Sequence, residues 1–452
     1  LAPFYDNETE STPANGVYDP INDGDYPWYD IEDEIDCRSD RRVTLFGDET
    51  HWWVFNDKGN IHTETGGDPI GMEVRAQAFA FATDDAINDM TFYNYELINR
   101  GTQTLQNTDF GQWVDPDSGN AAYDFVGCDV GRGLGFAYNG ESTDNGQGGQ
   151  DPYGSSPPAI GVDFFEGPYQ DNDGIDNAYG IGTGEALNGI GYGDQVIDNE
   201  RFGMRRFVYH NIGGGPTGDP NNATDYYRYL QGIWQNGQQM TYGGNGFNTG
   251  SSLPTDFMFP GATDNSFWGT GGVDPGEDWS EVSVGNPFGD RRFLQSAGPF
   301  TLLPGAVNNI TVGVVYGRNT AETDLEASVR SMKSADSKAQ ALFDNCFELV
   351  EPPVAPLLTV QEMENELILY LTEPAGFDEQ TWFEEDKINI VTPDDLIQQG
   401  IFYDDTFRFE GYQIYQMADA DASVADLDDI EKARLVAQCD IQNGVSTLVN
   451  YN

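Results

Sequence analysis

The chain has 452 residues, with 76 acidic against 21 basic side chains and a formal net charge of -55. Such a polyanion repels nucleic acid and anionic membrane surfaces, and the chain lacks both a basic stripe and an apolar run of roughly 18 residues, so we expect neither nucleic-acid binding nor membrane insertion. Aromatic residues make up 13% and hydrophobic residues 38% of the chain, which excludes an acidic disordered protein and predicts a large core.

The pattern of turns and hydrophobic alternation predicts an all-β protein. The 54 glycines and 23 prolines indicate many turns, as antiparallel architectures require. The predicted strands are residues 72–82, Thr91–Asn99, Phe110–Val114, Phe202–Tyr209, Phe293–Phe300 and Asn309–Tyr316. Residues 225–234 fit either a strand or a short helix. Residues 139–200 resemble long loops that metal ligation would order.

One later stretch has a helical period. Apolar residues three and four positions apart predict the only clear helix over Ala321–Phe347, with Thr320 as its N-cap. The proline-rich segment that follows predicts a domain boundary. We expect a loop-rich, calcium-stabilised β-sandwich domain at 1–319, a helix and connector at 320–350, a stiff linker at 351–357 and an incomplete fibronectin-III-like domain at 358–452. In that last domain, alternating residues at 358–360, 366–371, 409–415 and 433–439 predict strands.

The four cysteines are Cys37, Cys128, Cys346 and Cys439, and no two of them form a CxxC pair. Their spacing suits neither a zinc module nor a dense disulfide scaffold. A single Cys37–Cys128 bridge and buried free thiols both fit the sequence.

The most informative motif is an acidic loop, residues 171–176, that spaces oxygen ligands as calcium loops do. A second segment about twenty residues further on ends in an acid that is suited to closing the site. The predicted ligands are Asp171, Asp173, Asp176, Asp194, Asp198 and Glu200. The complete EF-hand pattern is not met, and the loop is nearer to thrombospondin-type calcium repeats. The alternative is a solvated acidic turn.

Two further calcium sites are predicted on the same reasoning. The ligands of the second site are Asp115, Asp117, Asp124 and Asp129, and those of the third are Asp6, Asn15 and Asp19. In the alternative interpretation these side chains accept local backbone N–H bonds in Asx-turns. Magnesium is disfavoured because it takes few protein ligands in strict octahedral order.

No catalytic motif is found, so we predict that the protein is not an enzyme. His51, His62 and His210 lack the spacing of a zinc protease, and no phosphate loop or dinucleotide fingerprint occurs. With 76 acids, a glycosidase pair cannot be recognised from proximity in the sequence. Sugar stacking and core packing both fit the tryptophans, which include Trp52, Trp53, Trp113, Trp234, Trp268 and Trp279.

Seven segments share features with one family. They are Trp52–Gly59, Gly71–Thr83, Trp113–Asp129, Gly203–Tyr209, Thr241–Gly246, Asp256–Gly261 and Arg291–Gly305. Together they resemble the large extracellular proteins of Bacteroidota that are exported by the type IX secretion system. The resemblance spans most of residues 1–350. It implies an export signal upstream, a C-terminal sorting domain beyond this chain, and display on or release from a Gram-negative cell. The family's compact Asp-x-Asn-x-Asn-Gly loop is interrupted by an insertion near residue 6, and the family supplies no catalytic residues here.

The sequence therefore predicts a secreted, calcium-stabilised structural or adhesive surface protein. Its expected partners are calcium ions and other copies of itself or other surface proteins. The first alternative is a secreted carbohydrate-binding or carbohydrate-degrading module, with glycans as partners. The second alternative is cargo bound to the secretion machinery.

Overall fold

The computed structural model of the protein describes residues 4–6, 14–19, 21–22, 25–27, 46–83, 85–147, 151–181, 187–322, 324–347, 349, 356–364, 366–372, 377–378, 381–385, 406–418, 427 and 432–441. Internal contacts divide the chain into two units, Leu1–Cys346 and Phe347–Asn452.

The first unit contains fourteen strands and two α-helices among the described residues. They are β1 (Phe4–Tyr5), β2 (Tyr26–Pro27), β3 (Glu49–Asn56), β4 (Met72–Ala80), β5 (Thr91–Asn99), β6 (Leu105–Val114), β7 (Asp124–Asp129), β8 (Leu134–Asn139), β9 (Thr143–Asp144), β10 (Gly154–Ser155), β11 (Ala159–Glu166), β12 (Arg206–Asn211), α1 (Ala223–Leu230), β13 (Arg291–Leu302), β14 (Val307–Gly317) and α2 (Ala327–Asp344). Short 3-10 turns lie at Ala86–Asp89, Ala121–Tyr123 and Trp268–Thr270.

One layer of this unit is a seven-stranded antiparallel sheet in the order β3-β4-β5-β14-β11-β8-β7. The strands predicted at 72–82, Thr91–Asn99 and Asn309–Tyr316 are confirmed as β4, β5 and β14, with small shifts at their ends. Where apolar and polar residues alternate along a strand, period two is sufficient to find it.

The second layer is a three-stranded antiparallel sheet in the order β12-β13-β6. The ring of Phe110 lies 5.7 Å from that of Tyr95 and 6.1 Å from that of Phe164, so side chains of the two sheets meet. Phe207 and Phe293 are fully buried in the same core. Burying each such side chain contributes roughly 1.5–3 kcal/mol. Two facing sheets make the sandwich that the sequence predicts.

Three strands of the large sheet have no alternating pattern. All six residues of β7 and all six of β8 are buried, and β11 lies inside the region 139–200 that was expected to consist of loops. That expectation is wrong for residues 159–166. α2 packs on β11 and β14, while Phe164 meets the second sheet. A strand covered on both faces reads as a continuous apolar run rather than as alternation.

The long helix begins at Ala327 and not at Ala321. Asn319 accepts the backbone N–H of Ala321 at 2.9 Å, so this segment forms a turn of its own before the helix. Thr320 is therefore not the N-cap, and Glu326 holds that position without a side-chain hydrogen bond.

The ambiguous segment 225–234 forms a helix over most of its length, α1, so α2 is not the only helix. Asn222 caps α1 by accepting the backbone N–H groups of Thr224 and Asp225. This capping removes two unsatisfied donors from the first turn.

The described residues of the second unit form three antiparallel strand pairs. They are β15 (Leu357–Glu362) with β16 (Leu367–Thr372), β17 (Phe383–Glu385) with β18 (Thr406–Arg408), and β19 (Gly411–Met417) with β20 (Ala433–Asp440). The strands predicted at 358–360, 366–371, 409–415 and 433–439 are confirmed, and the fibronectin-III-like arrangement stays a prediction. In the predicted linker, residues 351–355 lie outside the described residues.

Of the two cysteine arrangements that fit the sequence, the Cys37–Cys128 bridge is wrong, and Cys128 matches the alternative of a buried free thiol. Cys128 is a free thiol, 1% exposed, and its Sγ lies 3.3 Å from the carbonyl oxygen of Met258. Cys439 is free and exposed, whereas Cys346 is disulfide-bonded. Cys37 lies outside the described residues.

Candidate metal centre

The pairing of β6 with β13 brings together two acidic segments that are distant in the sequence. β6 ends directly before Asp115, and its last residue, Val114, pairs with Phe293 near the start of β13. Asp290 directly precedes β13. Because antiparallel partners lie roughly 5 Å apart, Asp115 and Asp290 meet at one end of the small sheet.

Three carboxylates converge at this end. One oxygen from each of Asp115, Asp117 and Asp290 lies within 4.8 Å of the others. Asp117 has a φ of 38°, a left-handed conformation that turns the chain sharply. Arg292 donates to Asp115 at 2.8 Å and lies 3.4 Å from Asp290. One guanidinium among three carboxylates leaves the cluster with a net negative charge.

A fourth carboxylate, Asp124, lies beside this cluster at the start of β7 and is 0% exposed. Neither of its carboxylate oxygens has a hydrogen-bond partner among the described residues. Burial, followed by the charges of Asp117, Asp290 and Asp115, raises the pKa of Asp124 to about 8. The backbone N–H of Gly289 donates to the Asp124 carbonyl at 3.2 Å, which keeps the two segments together. A buried, unpaired carboxyl among other carboxylates is unfavourable unless a proton or a cation neutralises it.

The arrangement suits a hard divalent cation with oxygen ligands. Asp115, Asp117 and Asp290 would hold such an ion, with Asp124 next to the converging set. No ion has to be assumed for the carboxylates to meet, because strand pairing alone brings the segments together.

The structure does not bring Asp129 to this site, although the sequence grouped it with Asp124. These residues are the two ends of β7, roughly 17 Å apart at strand rise. Asp129 instead pairs with Lys333 at 2.8 Å and lies 3.7 Å from Arg132. Sequence reasoning missed Asp290, because only the pairing of β6 with β13 places it beside Asp115.

The loop at residues 171–176 forms a second converging set. One oxygen each of Asp171, Asp173 and Asp198 lies within 4.8 Å of the others. The backbone N–H of Gly174 donates to Asp198 at 2.8 Å, and Gly174 has a φ of 80° that glycine adopts without strain. Burial, then the charges of Asp173, Glu200 and Asp198, raises the pKa of Asp171. Calcium at this loop stays a prediction.

The other acids predicted for this loop accept amide hydrogens. Asp176 accepts the backbone N–H groups of Gly193 and Gln195, each at 2.7 Å. Asp194 and Glu200 likewise accept backbone N–H groups. The bonds to Asp176 and Glu200 join the two acidic segments directly, whereas the bond to Asp194 is local to one of them.

The third predicted site is a network of turns. Asp6 accepts the backbone N–H groups of Asn15 and Gly16 at 3.1 and 2.5 Å, and Asp19 accepts that of Asn22 at 2.9 Å. Among the described residues, no set of three carboxylates converges here. The geometry favours the Asx-turn interpretation for Asn15 and Asp19, whereas Asp6 bonds backbone nine and ten residues further on.

The histidines have separate neighbours. His51 Nε2 lies 2.8 Å from Glu49, and His62 Nε2 lies 2.7 Å from the carbonyl oxygen of Asp57. His210 is buried against Trp113, and burial lowers its pKa to about 4. A neutral buried histidine fits a structural role.

The tryptophans are divided between core and surface. Trp234 and Trp279 are at most 1% exposed and Trp268 is 9% exposed, so core packing accounts for these three. Trp53 and Trp113 are each 39% exposed. Carbohydrate binding by the exposed rings stays a prediction.

A cleft of about 640 Å³ contains two carboxyl groups that the sequence did not single out. Arg206 Nε lies 3.2 Å from Asp256, and burial raises the pKa of Asp109 to about 6. Carboxyl groups in clefts are common without catalysis, so the prediction of a non-enzyme stays open to test.

A second buried acid pair lies between β11 and α2. Asp163 and Asp336 are each 1% exposed, and Arg132 donates to Asp336 at 2.9 Å. Burial first, and then the neighbouring Asp336, raises the pKa of Asp163 far above its ordinary value. Burial raises the pKa of Asp336 to about 6 in spite of Arg132. A proton shared between the two carboxyls would remove the repulsion between them.

Comparison with known proteins gives no family assignment: no family model matches the sequence, and no curated protein matches it significantly. In the described part of the chain, no helix combines the length and apolar character needed to cross a bilayer.

Proposed function

We propose that this chain is a secreted, calcium-stabilised structural or adhesive protein of a bacterial cell surface. The observation that carries the proposal is the convergence of Asp115, Asp117 and Asp290 beside the buried, unpaired Asp124. Calcium takes six to eight oxygens in a flexible geometry, so carboxylates from separate segments suit it better than they suit magnesium.

The position of the cluster supports a stabilising role. Asp115 and Asp117 follow β6 of the small sheet, Asp124 begins β7 of the large sheet, and Asp290 precedes β13. An ion bound there would hold the ends of both layers together. It would also relieve the repulsion among carboxylates in a chain of net charge -55.

One observation, a disulfide, supports a compartment outside the cytosol, and the general affinity of extracellular calcium sites agrees with it. Extracellular calcium modules bind with dissociation constants of about 10⁻⁴ to 10⁻³ M, which is adequate where calcium is plentiful. The disulfide at Cys346 fits an oxidising environment. The resemblance to proteins exported by the type IX system points to the surface of a Gram-negative cell, where such a protein assembles with copies of itself or with other surface proteins.

Thermal unfolding in calcium and in EDTA tests the proposal. Ligand binding at roughly 100 times its dissociation constant stabilises the folded state by about 2.7 kcal/mol, so calcium should raise the melting temperature by several degrees. Asp117→Asn should lose most of this increase. Asparagine also tolerates the left-handed backbone at this position, so the change removes mainly the charge.

Two matched variants locate the effect. Asp151→Asn removes the same charge from an exposed position outside both converging sets and should keep the full calcium response. Asp173→Asn reports the contribution of the second set separately. If calcium leaves the wild-type melting temperature unchanged, the proposal fails. If calcium raises the melting temperature of Asp117→Asn as much as that of the wild type, the ion binds at another position.

A further inference from the structure

The two edges of the seven-stranded sheet differ in how they are covered. At the β7 edge, the backbone N–H of Val126 donates to Glu281 and that of Cys128 donates to the carbonyl oxygen of Phe259 at 3.2 Å. β3 pairs with β4 on one side only. Within the described residues, β3 forms no backbone hydrogen bond on its other side. An open edge of this kind is a template for another strand.

The side chains of β3 are apolar and exposed. Trp53 is 39%, Val54 37% and Phe55 48% exposed, and because successive residues point to opposite faces, both faces of the strand carry apolar surface. Proteins usually protect an open edge with lysine, proline or a bulge. The strand sequence ETHWWVFN has neither lysine nor proline, and Glu49 is its only carboxylate. The strand itself therefore carries little of the chain's negative charge.

We propose that a second copy of this chain pairs with β3 in antiparallel orientation, about a two-fold axis, and joins two seven-stranded sheets into one. Pairing centred on Trp52 places Trp53 opposite His51 and Glu49 opposite Phe55, so no two carboxylates face each other. Parallel pairing in register would instead place Glu49 beside its own copy, and like charges directly opposite are destabilising.

The pairing closes at a dimer. Among the described residues, each copy has one open edge in this sheet, since the β7 edge is already bonded. An isologous contact uses the same surface on both subunits. Two bodies of charge -55 repel each other, so added salt should strengthen the dimer by screening this repulsion. A dimer of this kind specifies the self-assembly that is part of the proposed function, and it rests on that part of the proposal. Its formation does not involve the calcium site.

Sedimentation velocity on the full chain, run in calcium and again in EDTA, tests the interface. The dimer fraction should rise with protein concentration and with salt in both buffers. Trp53→Lys removes an aromatic ring and places an ammonium group on the edge, so it should weaken dimerisation at least about tenfold. Ile61→Lys makes the same charge change at a position that is 87% exposed and outside the strand, and it should dimerise as the wild type does.

Hydrogen exchange gives a second readout on the same samples. Amides of β3 should exchange more slowly as the concentration rises, while those of Val126 and Cys128 should be protected at every concentration. If Trp53→Lys fails to fold, Phe55→Lys takes its place, because Phe55 is more exposed.

The inference is overturned if the wild type stays monomeric at about 100 μM in about 0.5 M salt. Undiminished dimerisation of the folded lysine variant, or growth into open-ended polymers, would also overturn it. A dimer that persists in EDTA while calcium leaves the melting temperature unchanged would keep this interface and reject the calcium site. A chain that stays monomeric while calcium raises its melting temperature would reject the interface and keep the calcium site.

Discussion

Buried and half-buried carboxylates in this protein differ in the partners that stabilise their charge. Asp144 accepts three backbone N–H groups, between 2.8 and 3.1 Å. Asp129 has a lysine at 2.8 Å. Asp124 has no hydrogen-bond donor among the described residues, and the charges of three neighbouring carboxylates outweigh that of Arg291. This difference makes Asp124 and its neighbours a candidate metal site, whereas Asp144 and Asp129 are already satisfied.

The spacing of acidic residues along the chain predicted part of the candidate metal site. Asp115 and Asp117 lie on one tight turn, as do Asp171 and Asp173, so alternate carboxylates converge wherever the loop folds. Asp290 could not be predicted in this way, because only the register of β6 with β13 brings it to Asp115. Among 76 acids, the sequence also cannot show which ones accept backbone N–H groups, as Asp176 does.

The acid pair Asp163 and Asp336 should make stability depend on pH. A carboxyl whose pKa is raised on folding binds more protons in the folded state than in the unfolded state. Its contribution to the free energy of unfolding is therefore complete at pH values below its pKa in the unfolded chain. The contribution is lost as pH rises through its pKa in the folded protein, which for Asp336 is about 6. Asp163→Asn mimics the protonated form and should gain stability relative to wild type between about pH 4, where an unfolded Asp titrates, and about pH 6, by at most about 1.4 kcal/mol per pH unit.

Urea unfolding of both proteins across this pH range measures the difference. Asp151→Asn, an exposed acid, is the control and should track the wild type at each pH. A constant difference between Asp163→Asn and wild type at every pH would show that the pair does not share a proton.

At the scale of elements, alternation of apolar and polar residues along the chain identified several strands but not all of them. β4 and β5 alternate and were predicted from the sequence, whereas β7, β8 and β11 have few or no exposed positions to mark a period. The start of α2 was misplaced for a different reason. Asn319 bonds the backbone of Ala321 locally, and such side-chain bonds compete with the helix.

Close packing of α2 on β14 depends on Gly317. A Cβ atom at this position would overlap the backbone of Met332 in α2. Gly317→Ala should therefore push the helix from the sheet and reduce the free energy of unfolding by about 1–3 kcal/mol in urea denaturation. Gly214→Ala adds the same methyl group where nothing lies within 4 Å and should change stability little. Equal effects of the two substitutions would contradict close packing at this contact.

For the molecule as a whole, the two-layer sandwich explains how an acidic chain brings together the carboxylates of a candidate metal site without a compact motif. Three segments that end or begin strands of different sheets meet at one rim, and each brings carboxylates to it. The same geometry leaves one edge of the large sheet, β3, open to a second copy. Stability would then come from the core, from cations at the rim and from pairing at the edge.

A crystal structure of the chain grown in saturating calcium would show directly whether an ion binds at this rim. We expect anomalous density for an ion with oxygen ligands only, about 2.3–2.6 Å from Asp115, Asp117 and Asp290. Well-ordered carboxylates at that rim, bonded only to Arg292 and water in the presence of saturating calcium, would contradict it.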